Sequence, residues 1–397
     1  MRTLARAFRD ELATVARNPG ALLVLVGAIF LYGLFYPVPY SPEVLKRVPI
    51  IVADLDHSEL SRALVRMAGA SELLSIEGQA ASLAEAEELM RRRQAGGILL
   101  IPKGFSQTIL RGEQAYVAAY ADASYLLIYR QVLTGLLASA GTFSAGVEIQ
   151  RMAARGIPAE SAMAQRAPLN YSGRPLFNAT EGYSTFVVPS VLLLILQQTI
   201  LIGAGLVQAS RREKAPGALP VGFPSTVATV LGRAAFYLLL YWFHAWFYLG
   251  PLSRWYGFPA AGDPLVVILF AQPYLLSAIF LGLAGAALFR ESQRSIQVFA
   301  ASSLPMLLTA GVVWPVELIP GWVRAISAVA PSTPAIAGFL RINMMGANLR
   351  ETGPEYLHLW ALVLIYFPLA CLAQWLSKRG GPAGAASESP PPSPPPP

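Results

Sequence analysis

The chain has 397 residues, of which 13% are charged and 54% are hydrophobic. A soluble domain carries about 25% charged residues, so the composition argues against a soluble enzyme and favours a protein that exposes much of its surface to lipid. The single cysteine, Cys371, excludes a disulfide framework. The three histidines lie far apart in the sequence and form no typical zinc motif.

Six apolar segments are long enough to cross a bilayer, which takes about 20 helical residues. The first begins at Pro19 and has no charge up to residue 36. It ends without a small-residue cleavage site, so we interpret it as an anchor and not as a cleaved signal peptide. The other five segments are residues 185–210, 227–249, 264–289, 295–316 and 357–377.

Basic residues are concentrated in alternate connections between these segments. They precede the first, follow the second and the fourth, and follow the sixth, in residues 2–17, 211–214, 290–294 and 378–379. If the segments alternate in direction, all of these residues lie on one side of the membrane. The positive-inside rule then predicts that both termini are cytoplasmic. The net charge of +7 is therefore a topology signal, and it does not indicate nucleic-acid binding.

Residues 37–184 form an insertion of domain size with equal numbers of acidic and basic side chains. Short apolar runs at 48–54, 73–76, 98–101 and 116–120 predict strands, and helices are predicted from Ser58, Ser82 and Phe105. A helix of about thirty residues, ending near Arg155, is interpreted as a stalk that returns the chain to the membrane. The predicted fold is a mainly helical membrane protein with six transmembrane helices and a large external α/β domain between helices 1 and 2.

Two polar groups in this insertion have simple interpretations. His57 follows Asp54 and Asp56 at a strand-to-helix turn, where turn chemistry explains it without a metal ion. The three arginines at 91–93 fit a solvated helix end, and contact with an anion is the alternative.

The sequence lacks the motifs of common catalytic sites. It contains no phosphate-binding loop, no nucleophile elbow and no zinc-protease helix. No Asp, Glu or Lys lies in the middle of a predicted span, so a proton-coupled carrier is also not indicated. We predict that the chain is not an enzyme and binds no cofactor or metal itself.

Five separated motifs identify a resemblance. They are Arg17-Asn18-Pro19, residues 48–56 followed by Ser61-Arg62, residues 101–106, residues 305–322 and residues 331–346. In this order, with one span before a large insertion and five after it, the chain resembles the permease subunits of type-2 ABC exporters, in the branch of bacterial multidrug efflux permeases.

The resemblance implies a function and a set of partners. A separate ABC ATPase subunit would bind ATP and Mg²⁺ and power the export of a hydrophobic or amphipathic substrate, such as a drug or a lipid. The permease would pair with a second copy or with a similar permease in the bacterial inner membrane, surrounded by lipid. A periplasmic adaptor is a further partner that the family allows. The alternative is a membrane-anchored sensor or assembly scaffold whose external domain binds a ligand.

The cytoplasmic surface has two candidate contacts with the ATPase. Residues 1–18 read as an amphipathic helix along the inner leaflet, with Leu4, Phe8 and Leu12 on its apolar face. The resemblance also implies an ATPase-coupling loop after the second span. Its residues are Arg211, Arg212, Glu213 and Lys214, for which a purely topological role is the alternative.

Two further groups are candidates within the five-helix part, residues 185–377. The substrate-path candidates are the amides Gln197, Gln198 and Gln272, and hydrogen bonds between helices are the alternative role. The irregular apolar stretch near 321–348 is predicted to re-enter the membrane or lie on the outer leaflet. The resemblance places an external gate motif just before and within it, with the residues Pro315, Glu317, Pro320 and Trp322. Residues 378–397 are predicted to be a disordered Pro-rich tail.

Overall fold

Residues 2–41, 44–166, 173–178, 181–214, 222–289 and 291–379 are described by the computed structural model. They divide into two units, one formed by Met1–Glu43 with Pro175–Pro397 and the other by Val44–Arg174. The insertion expected at 37–184 therefore corresponds to a somewhat shorter unit. Most of the Pro-rich tail, residues 380–397, lies outside the described residues, and so does the segment 215–221.

The Val44–Arg174 unit is built on a four-stranded sheet of β1 Val48–Asp54, β2 Leu74–Gln79, β3 Gly97–Ile101 and β4 Ala118–Ala121, in the order β2-β1-β3-β4. The strands β1 and β2 are parallel, β1 and β3 are parallel, and β4 runs antiparallel to β3. The four predicted strands are confirmed, with small shifts at their ends. The helices of this unit are numbered after α1 Arg2–Ala16 and α2, which begins at Pro19, in the other unit. They are α3 Glu59–Gly69, α4 Leu83–Arg91, α5 Phe105–Leu110, α6 Leu126–Ala154 and α7 Ala159–Arg166.

Alternation along β1 sends apolar side chains to both faces of the sheet. Val48, Ile50 and Val52 pack with α3, α5 and α6 on one face. Ile51 packs with α4 on the other face. The unit is therefore a three-layer α/β/α sandwich, because an apolar β1 on both sides needs a helical layer on each.

A compact set of hydrogen bonds closes the turn between β1 and α3. Ser58 caps α3, and the Asp54 carboxylate accepts from the backbone N–H of His57 at 3.0 Å. Asp56 accepts from the N–H groups of Gly104 and Ser106 at the start of α5. Burial raises the pKa of the Asp56 carboxyl, but these and other hydrogen bonds outweigh it and hold the pKa below its ordinary value. The turn interpretation of His57 is confirmed, since its backbone adopts a φ of 52° there.

The arginine triplet lies at the end of α4. Arg91 and Arg92 both contact Glu88 at 2.9 Å, and the side chains of all three arginines at 91–93 are exposed. This arrangement is the solvated helix end that the sequence predicted.

Helix α6 is long and apolar enough to count among candidate membrane spans by length and composition. Its inward face, however, packs on the sheet of its own unit through Val132, Leu136 and Phe143. We therefore assign α6 to the α/β sandwich, and it matches the long helix predicted to end near Arg155.

The other unit is a helical bundle. Its helix α1, Arg2–Ala16, is followed by α2, which consists of Pro19–Leu22, a π turn at Leu23–Gly27 and Ala28–Phe35. Helix α9 likewise combines Phe223–Phe247, a π turn at Tyr248–Leu252 and Ser253–Trp255. The remaining helices are α8 Ser184–Lys214, α10 Pro264–Ala286, α11 Ser292–Thr309, α12 Gly321–Ser327, α13 Ser332–Met345 and α14 Gly353–Arg379.

Five of these helices, α2, α8, α9, α10 and α14, meet the length and hydropathy of a membrane span. The most buried is α8, which contacts α2, α9, α10, α11 and α13 and forms the centre of the bundle. Contacts between the C-terminal parts of α8, α10 and α14 place these ends together, next to α1. We call this region the α1 end.

The predicted fifth span, residues 295–316, is only partly correct. Helix α11 ends at Thr309, because Gly311 adopts a φ of 81° that ends the helical path. With 18 residues it is shorter than the apolar run, and it is not among the candidate spans. The chain then continues through a 3₁₀ turn at Val316–Leu318 into α12.

Helices α12 and α13 form a pair bent by 90°. At the break, the Ser332 N–H donates to Gln197 Oε1, halfway along α8, at 2.7 Å. At the far end of α13, Asn343 donates to the Pro259 carbonyl at 2.7 Å, in the α9–α10 connection. The pair therefore reaches from the end opposite to α1 to the middle of the bundle, as expected for a re-entrant segment.

The packing of α6 can be tested with two neighbouring leucines. Leu136 is 4% exposed and Leu137 is 70% exposed. We expect Leu136→Ala to lower the free energy of unfolding of the α/β unit by about 2–5 kcal/mol. Leu137→Ala should change it by no more than about 0.5 kcal/mol. Pulse proteolysis in urea, read from cleavage within residues 44–174, measures both, and equal effects would contradict the packing described.

Candidate functional site

A buried carboxylate lies at the α1 end of the bundle. Glu11 of α1 is 1% exposed, and its Oε2 lies 2.5 Å from Arg211 Nη1 and 3.3 Å from Arg233 Nε. Its Oε1 accepts a hydrogen bond from the Tyr237 hydroxyl at 2.8 Å. A buried charge is tolerated only when it is paired and hydrogen-bonded. Glu11 therefore binds α1 to the end of α8 and to the side of α9.

The contacts continue from Arg233 to two further helices. Arg233 Nη1 donates to Gln208 Oε1 of α8 at 2.7 Å and contacts Gln374 Oε1 of α14 at 3.3 Å. Gln374 Nε2 then donates to the Leu283 carbonyl of α10 at 3.0 Å. One carboxylate, two guanidinium groups, a phenol and two amides thus connect five helices. We call Glu11, Arg211, Arg233, Tyr237, Gln208 and Gln374 the Glu11 cluster.

The sequence contained one signal for this cluster. Arg233 is the lone charge in an otherwise uncharged segment, and a charge in a span requires a partner. The partner Glu11 was missed because the helix was read from its apolar face, Leu4, Phe8 and Leu12. Leu4 and Leu12 are instead exposed, and the buried face of α1 carries Glu11 with small or branched neighbours.

The four residues expected in an ATPase-coupling loop lie in the last turn of α8, so the prediction of a loop is corrected. Arg212 donates to the carbonyls of Phe289 and Ala287 beyond the end of α10, at 2.7 and 3.0 Å. Glu213 accepts from the N–H and hydroxyl of Ser292 at the start of α11. Both side chains bind helix termini whose own backbone groups lack helical partners, which explains why α8 extends this far.

These contacts divide the four residues by accessibility. Arg211 belongs to the Glu11 cluster and Arg212 is partly buried, whereas Glu213 remains exposed. The side chain of Lys214 lies outside the described residues. Of the four, Glu213 is therefore the residue whose side chain is described as exposed, and a contact of this segment with an ATPase stays a prediction.

The three amides form contacts between helices. Gln197 and Gln198 of α8 both direct Nε2 to the Met306 sulfur of α11, at 3.2 and 3.3 Å. Gln272 accepts from the Trp242 indole N–H at 2.9 Å. The alternative role, hydrogen bonding between helices, is what the structure shows for all three residues. A thioether is a weak acceptor, so the contact of α8 with α11 is the weakest of these.

The residues expected to form an external gate surround the turn before α12. Pro315 precedes the 3₁₀ turn, Glu317 lies within it, and Pro320 precedes α12. All are exposed, and the side chain of Trp322 is 71% exposed. The four side chains of this motif therefore lie on the surface of the bundle and are not part of its buried core.

Helix α11 leaves an apolar face uncovered in the described part of the chain. It packs on α8 through Ser295 and Phe299, whose side chains fill the space beside Gly205. The exposed apolar side chains of this helix and the following turn are Ile296, Val298, Leu304, Leu308, Val313, Trp314, Val316 and Leu318. Such a face requires lipid or another protein chain to cover it.

Comparison with known proteins agrees with this architecture. A family model described as ABC-2 family transporter protein matches residues 20–372. The linearmycin resistance permease protein LnrN of Bacillus subtilis is 22% identical over 364 residues, covering 86% of this chain and 91% of that protein. The probable multidrug ABC transporter permease YbhR of Escherichia coli is 28% identical over 162 residues, which cover 40% of this chain and 43% of YbhR.

Removal of the Glu11 carboxylate should destabilise the bundle. Glu11→Ala leaves two buried guanidinium groups without their counter-charge, which typically costs about 3–5 kcal/mol. Asp10→Ala, at the exposed neighbouring residue, is the matched control and should have little effect. Thermal unfolding of the detergent-purified protein compares them. Adding Arg233→Met to Glu11→Ala should recover part of the loss, and identical midpoints for the two single variants would contradict the buried pairing.

Proposed function

The chain belongs to the ABC-2 family of transporter proteins, and from this premise we propose that it is the permease subunit of an ATP-driven exporter. A separate ABC ATPase would bind ATP and Mg²⁺ and supply the energy. The family match extends across the helical bundle, so a membrane-anchored sensor or scaffold, in which that bundle would serve only as an anchor, is not favoured.

The observation that supports ATPase coupling best is the Glu11 cluster. A displacement of α1 pulls on α8, α9 and, through Gln208 and Gln374, on α14. The opposite face of α1 exposes Arg2, Arg6 and Arg9. We propose that these arginines and Glu213 contact the ATPase, while Arg211 and Arg212 transmit its movement from within the bundle.

The uncovered face of α11 supports pairing with a second permease. We propose that a second copy, or a similar permease, covers this face and that the substrate moves between the two subunits. Gln197 and Gln198 lie behind α11 and would be reached when the weak contact with Met306 opens. Apolar walls with a few neutral polar groups fit a hydrophobic or amphipathic substrate.

The relatives support this choice of substrate. The names of LnrN and YbhR refer to linearmycin resistance and to multidrug transport. We propose that this chain, in the same way, exports drugs, lipids or similar compounds across the bacterial inner membrane.

The distribution of basic residues supports an orientation with both termini in the cytoplasm. The α1 end would then face the ATPase, and the Val44–Arg174 unit and the gate motif would lie on the external side. We propose that a periplasmic adaptor, where one is present, binds on this side of the membrane.

Co-expression with an ABC ATPase, sought first among the neighbouring genes, tests the function. The two proteins should co-purify, and inverted vesicles that contain both should take up a lipophilic dye only with ATP. ATP hydrolysis by the permease alone, or the absence of both association and transport, would overturn the proposal. Susceptibility of a deletion strain to a compound panel would then narrow the substrate.

Charge reversal tests the proposed contact with the ATPase. Arg6→Glu with Arg9→Glu should reduce co-purification by at least tenfold without changing the thermal unfolding of the permease, because both side chains are exposed. Arg254→Glu, an exposed arginine at the opposite end, is the control and should leave co-purification unchanged. Normal assembly of the double variant would exclude α1 as the docking surface.

Cysteine labelling tests the orientation. Cys371 is the single cysteine of the chain, so Cys371→Ala provides a background without thiols. The reagent is a maleimide that cannot cross the inner membrane, applied to cells whose outer membrane has been permeabilised. It should label Lys103→Cys and spare Arg9→Cys, although both positions are exposed. Equal labelling of the two would contradict the external position of the α/β unit.

A further inference from the structure

Side chains of α9, and of the residue that follows it, bond directly to the backbone of α2. Each donor reaches a carbonyl oxygen roughly one helical turn beyond the previous one. The three pairs are His244 Nε2 with the Leu25 oxygen at 2.9 Å, Tyr248 Oη with the Ile29 oxygen at 2.7 Å and Tyr256 Oη with the Leu34 oxygen at 2.6 Å. We call these three pairs the carbonyl ladder.

Both helices depart from regular geometry at the ladder. The π turn of α2, Leu23–Gly27, contains the first acceptor, and the π turn of α9 begins at the second donor, Tyr248. A π turn inserts one residue into the helix and is often found at functional positions. In α9 the carbonyl of Tyr248 is not lost, because Ser253 Oγ donates to it at 2.7 Å. Both π turns therefore lie within the part of the two helices that the ladder joins.

Glycines allow the helices to approach closely along the same line. A side chain at Gly33 would place its Cβ 2.7 Å from Tyr248 Cε1. A side chain at Gly232 of α9 would overlap the Leu4 carbonyl of α1 and lie 2.8 Å from the Ala7 Cβ. Close approach of α9 is thus found at two points, against α1 at Gly232 and against α2 at Gly33.

The Glu11 cluster adds a bond at the α1 end of this line. Tyr237 Oη donates to Glu11, and Arg233 of the same helix pairs with it. Polar contacts therefore join α9 to α1 and α2 from Arg233 to Tyr256, along the whole apolar part of α9. In a low-dielectric interior such bonds have no water to replace them, so separation of the two helices is costly.

We propose that α1, α2 and α9 move as one rigid block during transport, and that Tyr248 and Tyr256 are positioning residues that carry a displacement of α1 to the far end of α2. This inference rests on the proposed ATP-driven transport. It adds the path by which a movement at the ATPase surface reaches the opposite side of the bundle.

Helix α11 shows the contrasting case. Its main contact in the described residues is with α8, and the polar bonds between their middles end on the Met306 sulfur. Because its polar contacts are weak, α11 separates from α8 more easily than α2 separates from α9, to which the carbonyl ladder joins it. The block therefore moves relative to α11 and does not deform internally.

The test removes two hydroxyl groups and no volume. In the Tyr248→Phe/Tyr256→Phe double variant, in complex with the ATPase, transported dye per ATP hydrolysed should fall at least fivefold. A merely unstable protein would lose transport and hydrolysis in proportion and leave this ratio unchanged. Tyr241→Phe is the control, because Tyr241 of α9 is as buried as Tyr248 but its hydroxyl makes no hydrogen bond to α2 among the described residues. It should retain the ratio.

A second measurement does not depend on transport. Hydrogen exchange of the permease in lipid nanodiscs should be at least tenfold faster at residues 25–38 in the double variant than in the wild type or Tyr241→Phe. Unchanged exchange and an unchanged transport ratio would overturn the rigid block.

If the double variant is not produced, Tyr256→Phe alone is measured in the same way, with smaller changes of the same sign expected. Absence of transport by the unsubstituted complex would instead contradict the proposed function, and the exchange result would still decide the block.

Discussion

The bundle depends on a single buried carboxylate. Glu11 lies among two arginines and a tyrosine that come from helices about two hundred residues later in the chain. Without it, two guanidinium groups would be left in an apolar interior, and their mutual repulsion would separate the ends of α8 and α9. With it, the amphipathic α1 becomes part of the bundle and is not merely attached to the membrane surface. A displacement of α1 would therefore also displace α8 and α9.

The carbonyl ladder extends this constraint along the membrane. Side-chain donors that are buried or partly buried reach the backbone of α2, so each bond is specific in direction and difficult to exchange. By contrast, the middles of α8 and α11 meet through side-chain packing, and their polar contact there ends on a sulfur acceptor. The bundle thus combines a firmly bonded half with a half that is held mainly by packing. This division fits the proposed transport, in which the subunit would alternate between two arrangements.

Local patterns explain what the sequence predicted well. Strand β1 and helix α6 were recognised because their apolar residues repeat with the period of one element, and Ser58 and Ser82 were recognised as caps from short spacings. The family resemblance, carried by motifs such as residues 305–322, was confirmed by the match over residues 20–372. The end of α11 was missed because the apolar run continues past the glycine that stops the helix. Glu11 and the ladder were missed because hydrogen bonds between distant residues leave no periodic signal, and the exposed-loop reading of Arg211 failed because charge alone does not reveal a buried partner.

The glycines at 33, 203 and 232 have a consequence for how such a protein diverges. Each lies where a neighbouring helix occupies the space of a side chain, as Leu25 does beside Gly203. Lipid-facing leucines can be exchanged for other apolar residues with little effect. Evolutionary drift is therefore channelled to the lipid-facing surface, while a few small residues preserve the helix spacing.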